Sequence, residues 1–298
     1  MPGLKEVRIR IASVKSTQQI TNAMKMVAAS KLRKAQLAII KLRPYAAKLN
    51  EIMQNLSGSM DDSGESVYTK ARNPEKILLV VIASNRGLCG GFNSNVIRTT
   101  LNLLSTTYDA QLQKGAVDLI TIGRKASEFF RKRGYNVVES HDDLFDRLTF
   151  ANVSPLAEQM MKAFADKKYD RIQIVYNQFK NAAVQRLIIE QYLPILPLAP
   201  DPKASTEKHL KKANYIFEPD QETIIQQLIP KSLRIQLYKS LLDSFASEQG
   251  ARMTAMQKAT DNARELLRAL QISYNKARQQ AITKELLEIV AGAEALKG

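Results

Sequence analysis

The chain has 298 residues, 44 lysines and arginines against 29 aspartates and glutamates, and a net charge of +15, with two histidines and a single cysteine, Cys89. One cysteine excludes an internal disulfide and fits a reducing compartment. No apolar run approaches twenty residues, so neither a signal peptide nor a membrane-spanning helix is expected.

The first element, 1–55, is basic and periodic. Stepping four and three residues alternately gives Val7, Ile11, Val14, Gln18, Thr21, Lys25, Ala28, Leu32, Ala35, Ile39, Leu42, Ala46 and Leu49, a seam that is apolar except for a polar cluster at Gln18, Thr21 and Lys25. A 3.5-residue repeat held this long predicts a coiled-coil helix, and Pro44 is expected to kink or end it. Such length and regularity distinguish it from a mitochondrial transit peptide. Within the first fifty residues eleven basic side chains face only Glu6, so the helix seeks an acidic neighbour, either nucleic acid or an acidic protein surface, unless it is simply a solvated face.

Residues 56–75, rich in Ser, Gly, Asp and Asn, read as a mobile connection. From 76 to 200 the texture alternates between strand and helix. The continuous apolar run Ile77 to Ala83 suits a strand buried on both faces of a parallel sheet. A helix follows over Asn95 to Ser105, a strand over Val117 to Ile122, a helix over Lys125 to Arg133 stopped by Gly134, and a short strand over Asn136 to Glu139. Ser154 and Pro155 suit the cap and first turn of a helix reaching Lys167. Arg171 to Tyr176 and Gln185 to Leu193 complete the set as strands, the last two forming a hairpin.

A connection at 201–219 leads to the last element, 220–298, which Asp220 is placed to cap. Its seam reads Met256, Thr260, Ala263, Leu267, Leu270, Tyr274, Ala277 and Ala281. A helix of ~65 residues is about 100 Å long and must lean on something. Two seams, one at each end of the chain, predict an antiparallel coiled coil; two separate amphipathic helices packed on a central domain are the alternative.

Chemistry is sparse. The turn Ser84 to Asn93, SNRGLCGGFN, sits after a strand and before a helix, where a phosphate loop would lie, but it has neither G-x-G-x-x-G nor G-x-x-x-x-G-K-S/T spacing and reads as a structural turn. His141, Asp142, Asp143 and Asp146 lack a second ligand set at metal-binding spacing. His209 lies among lysines and reads as surface, and Cys89 reads as a small buried side chain. No catalytic, cofactor-binding or metal-binding residue is assigned.

Three segments nevertheless point to a family. Ile11 to Lys34 reads IASVKSTQQITNAMKMVAASKLRK, Ser84 to Asn93 reads SNRGLCGGFN, and Ile282 to Ala295 reads ITKELLEIVAGAEA, preceded by ASEQGARMTAMQKATDN at Ala246 to Asn262. Along nearly its whole length the chain resembles the gamma subunit of bacterial F-type ATP synthases. The resemblance implies an α/β fold in which a long antiparallel coiled coil of N- and C-terminal helices carries an inserted Rossmann-like α/β domain. It also implies a non-catalytic central-stalk rotor, one copy per complex, that couples proton translocation to conformational change at the beta-subunit sites where ATP forms.

The partners implied are three alpha and three beta subunits, the epsilon subunit and the c-ring, at the cytoplasmic side of the cell inner membrane, with no nucleic acid. Arg278 and Gln279 resemble the pair that engages a catch loop of beta, and Met24 and Lys25, beside Thr283 and Glu285, resemble a region where changes disturb coupling. Leu286, Leu287, Ile289, Val290 and Leu296 look like the apolar bearing tip, and Asn214 to Asp220, with Tyr215 and Glu218, like the foot near the c-ring. Asn85 departs from the family's frequent aspartate, the single cysteine rules out the paired-cysteine switch of chloroplast members, and Ala199 to Ala213 looks longer than usual.

Two other functions fit parts of the sequence. The basic helix suits a nucleic-acid-binding coiled coil, without interleaved aromatics or a reading motif. The α/β segment suits a nucleotide-dependent enzyme, against the loop spacing.

Overall fold

A computed structural model describes residues 4–57, 67–70, 72–182, 184–195 and 221–295. They fall into two compact units, Met1–Ala29 with Arg252–Gly298, and Ser30–Ala251. The cap expected at Asp220 and the segment Ala199 to Ala213 lie outside the described residues, as do most of the expected connections.

The chain runs α1 (Leu4–Ser57), β1 (Ile77–Ile82), α2 (Phe92–Thr106), α3 (Asp109–Gln113), β2 (Val117–Ile122), α4 (Arg124–Lys132), β3 (Val137–Ser140), α5 (Phe150–Ala165), β4 (Arg171–Phe179), β5 (Gln185–Leu193) and α6 (Gln221–Ala295), with a 3-10 turn at Asp142–Phe145 before α5. Pro44 does not end α1. A proline removes one backbone hydrogen bond, but the turns around it are held by burial of Leu49 and by the Lys231 ammonium 5.7 Å from the centre of the Tyr45 ring.

Within the larger unit the strands order β3-β2-β1-β4-β5, all parallel except β5, which pairs antiparallel with β4 as the expected hairpin. Every side chain of β1 is buried, and the strand serves two cores at once. Leu78, Val80 and Ile82 pack with α5 and with the α6 stripe Ile229, Leu233, Leu237 and Leu241, whereas Ile77, Leu79 and Val81 pack with α2 and α4. A continuous apolar run is what a strand covered on both faces requires.

Glycine matters at two turns. Gly123, between β2 and α4, has φ +106°, and a Cβ there would lie 2.2 Å from the Ala83 carbonyl oxygen, so the turn closes only without a side chain. Gly134, at φ +78°, stops α4 as its position in the sequence suggests.

The start of α5 corrects the sequence reading. The cap is Thr149, whose hydroxyl accepts the Asn152 amide, and Ser154 and Pro155 lie inside the helix, Ser154 donating back to the Phe150 carbonyl. The reason is packing: Val153 already belongs to the buried stripe continued by Leu156, Ala157, Met160, Met161 and Phe164, so the helix must begin upstream of the proline.

Candidate functional site

The smaller unit is built from the first part of α1 and the last part of α6, and its geometry follows from the two seams. Each seam position from Val7 to Ala28 and from Met256 to Ala281 is buried or half-buried, while most side chains between them are exposed. Three cross-helix contacts fix direction and register. Arg8 donates to the Tyr274 hydroxyl at 2.9 Å, Thr21 and Thr260 share a hydrogen bond of 2.8 Å, and Lys25 donates to Gln257 Oε1 at 2.8 Å. Partner numbers fall on α6 as they rise on α1, so the helices are antiparallel.

Carried back, this register sets Leu4, where α1 begins, opposite Arg278. The 279–295 segment of α6 therefore has no described residue of α1 beside it. Along it only Ala281 is even half-buried, and it bears the exposed side chains Ile282, Leu286, Leu287, Ile289 and Val290, with Val290 55% and Ile289 67% exposed. A helical segment exposing this much apolar surface among the described residues marks a surface suited to contact with a partner.

The expected coupling residues divide into two groups. Arg278, Gln279, Thr283 and Glu285 are all exposed on α6, at and beyond the start of α1, with the Thr283 hydroxyl turned back onto the Gln279 carbonyl. Met24 and Lys25 are half-buried elsewhere: Lys25 is bonded to Gln257, 26 residues before Thr283 and so about 40 Å away along the helix. The structure does not bring the two groups together. Leu296, Tyr215 and Glu218 lie outside the described residues, as does His209.

On the basic face of α1, Lys5, Arg10 and Lys15 point outward with no acidic partner among the described residues. The smaller unit thus offers a surface with unmatched positive charge and a projecting apolar end.

The remaining candidates in the larger unit are structurally occupied. In the turn after β1, the Ser84 amide donates to Asn93 Oδ1, the Ser84 hydroxyl donates to the Arg86 carbonyl, and Asn93 Nδ2 donates to the Ser84 hydroxyl and lies 3.3 Å from Cys89 Sγ. The side chains of Ser84 and Asn93 are thus spent within the turn. Asn85 ties the neighbouring turns together, Oδ1 accepting the Arg124 amide and Nδ2 donating to the Asp142 carbonyl. An aspartate could accept the first bond but not donate the second. His141 pairs with Glu139 at 2.9 Å and Asp142 lies 3.9 Å from Arg124, and among the described residues no group of His, Cys, Asp or Glu is arranged to hold a metal ion.

One group escaped the sequence reading. Asp243 of α6 is buried beside a recess of about 410 Å3 whose lining includes Ile39, Leu42 and Arg43 of α1, Phe179 of β4 and Lys239 of α6. Burial pushes its carboxyl up to about 6, against the pull of Lys239 and Arg43 and with help from Glu190. Its only signal was an acid standing in the apolar run LLDSFA.

Comparison with known proteins identifies the architecture. A family model described as ATP synthase matches residues 3–296. The ATP synthase gamma chain of Cytophaga hutchinsonii is 51% identical over 297 residues, 99% of both chains, and that of Flavobacterium psychrophilum is 53% identical over 298 residues, 100% of both. Among solved structures, a chain of the central stalk and c-ring of the Tetrahymena thermophila mitochondrial ATP synthase is 28% identical with a TM-score of 0.60, covering 80% of this chain and 99% of its own. A chain of the Euglena gracilis mitochondrial enzyme, at 21% identity and a TM-score of 0.67 over 98% of this chain and 94% of its own, shares the fold.

Proposed function

This chain belongs to the gamma chain family of ATP synthases, and from that premise we propose that it is the central-stalk rotor of an F-type complex, coupling proton translocation to rotary conformational change at catalytic sites on the beta subunits. It performs no chemistry itself. Its partners are three alpha and three beta subunits, an epsilon subunit and a c-ring, with one copy per complex, held peripherally at the cytoplasmic side of the inner membrane. No helix among the described residues is long and apolar enough to cross a membrane. The matches give the nucleic-acid alternative no support.

The observation that carries this reading is the antiparallel pair ending in a single exposed apolar helix. An off-axis shaft biases the beta subunits only if its contacts differ among them, because a ligand shifts a conformational equilibrium by its differential affinity. Unmatched charge at Lys5, Arg10 and Lys15 supplies attraction to acidic loops of the ring. Leu286, Leu287, Ile289 and Val290 supply contact that is non-directional and so tolerates turning. Arg278, level with the start of α1, presents a guanidinium able to fork onto a carboxylate of a beta catch loop, with Gln279 beside it. Met24 and Lys25 act through the seam. Tyr215 and Glu218 face the c-ring as the foot, an assignment that rests on the sequence resemblance.

The test is charge reversal. Arg278→Glu combined with Gln279→Ala is expected to lower ATP synthesis by the assembled complex while the isolated chain keeps its helicity by circular dichroism. Unchanged synthesis would remove those two residues from the coupling surface.

A further inference from the structure

The three polar seam positions of α1, Gln18, Thr21 and Lys25, are consecutive, and the seam of α6 from Met256 to Ala281 has one non-aromatic polar position, Thr260. The fold places these together. Thr21 and Thr260, 9% and 4% exposed, meet Oγ to Oγ at 2.8 Å, and Lys25 donates to Gln257 one turn away. Thr260 also donates to the Met256 carbonyl at 2.8 Å, and Thr21 lies 3.0 Å from the Gln18 carbonyl. Two hydroxyl hydrogens cannot serve all three contacts at once. With Thr260 turned onto Met256, its oxygen accepts from Thr21, and this arrangement satisfies both groups across the interface.

Outside these polar pairs and the exposed Arg8–Tyr274 hydrogen bond, the seam of this unit is nearly neutral about register. Ala28, Ala263, Ala277 and Ala281 are small, and apolar contact has no preferred alignment along the axis. A slip of one heptad, about 10 Å along the helix, still sets seam position against seam position, and Val7 and Ile11 keep apolar partners in either direction. It also sets Thr21 against Leu267 or Met253, and Thr260 against Ala28 or Val14, so each hydroxyl loses its cross-helix partner. A buried polar side chain at a single seam position is a known means of fixing register in coiled coils.

We propose that the Thr21–Thr260 pair, with Lys25–Gln257 beside it, is the register lock of this coiled coil: a positioning element that fixes how far α6 projects past α1 and so where Arg278 and the apolar end stand. Its consequence for coupling rests on the rotor reading above; the lock itself does not.

The experiment uses the full chain, in a Cys89→Ser background, assembled into its own complex. Nitroxide labels at Ser16→Cys and Glu265→Cys, both exposed positions in this unit, report the distance between helices, and proton pumping per ATP hydrolysed reports coupling. Thr21→Val with Thr260→Val is expected to split the single distance into two populations, the second holding at least about a tenth of the labels, and to lower the pumping ratio about twofold. Thr21→Ser with Thr260→Ser keeps the hydroxyls and is expected to retain one narrow distance and the native ratio. If the valine pair fails to assemble, Thr260→Val alone, which removes the same bond, is read by the same two measures.

One narrow, native distance in the valine variants would overturn the lock, and a split distance with undiminished pumping would overturn its positioning role. A parent complex that hydrolysed ATP but pumped nothing would count against the rotor reading, while the distances would still decide the lock.

Discussion

Asp243 is a buried acid whose titration departs from that of its type. Its carboxyl lies among Arg43 of α1, Lys239 of α6 and Glu190 of β5, and burial outweighs the two cations. The ordinary value of 3.8 rises to about 6 on folding, so between those values the folded chain holds a proton that the unfolded chain has lost. Stability therefore falls as pH rises from about 4 to about 6, and above that range the ionised carboxylate costs about 3 kcal/mol. Asp243→Asn is expected to raise the melting temperature at pH 7.5, leave it nearly unchanged at pH 4, and flatten the slope between, as measured by thermal melts across that range. A second residue prediction concerns Gly123, where an added Cβ meets backbone rather than a flexible side chain. Gly123→Ala is expected to cost at least about 2 kcal/mol in denaturant unfolding.

Among the elements, the projecting end of α6 makes the sharpest demand. Its apolar side chains contribute little to the free chain because they touch little of it. Replacing Leu286, Leu287 and Ile289 together with alanine, a good helix former, should leave the isolated chain's stability within about 0.5 kcal/mol. Release of the chain from a ring of alpha and beta subunits should quicken about tenfold or more, since each 1.4 kcal/mol of lost contact is a factor of ten; surface plasmon resonance reads both rates.

The same elements show what sequence discloses. The seams were legible because a 3.5-residue repeat records burial directly, and Gln18, Thr21 and Lys25 announced themselves as polar interruptions. What they touch was not legible: an apolar repeat carries no register of its own, so only the fold could separate Lys25 from Thr283 and pair it with Gln257. The five strands were found because apolar runs bounded by turn residues have few other homes. The start of α5 was missed because a serine–proline step mimics a cap and the packing of Val153 overrode it. Asp243 was hidden because one acid in an apolar run says nothing of whether it faces solvent.

For the whole molecule, the sequence patterning, the antiparallel pair and the family converge on a part that moves rather than reacts. The turn after β1 closes on its own hydrogen bonds, and the distinctive surfaces of the smaller unit are charge and apolar area placed for contact with other chains. If a rotor is its purpose, the chain must change orientation against its partners on every catalytic cycle. The most direct measurement fixes the alpha and beta subunits of the assembled complex to a surface, attaches a bead to this chain and follows it with ATP supplied. The account predicts stepwise rotation in one direction that stops when ATP is withdrawn. A bead that stays fixed relative to the ring while ATP hydrolysis continues would contradict it.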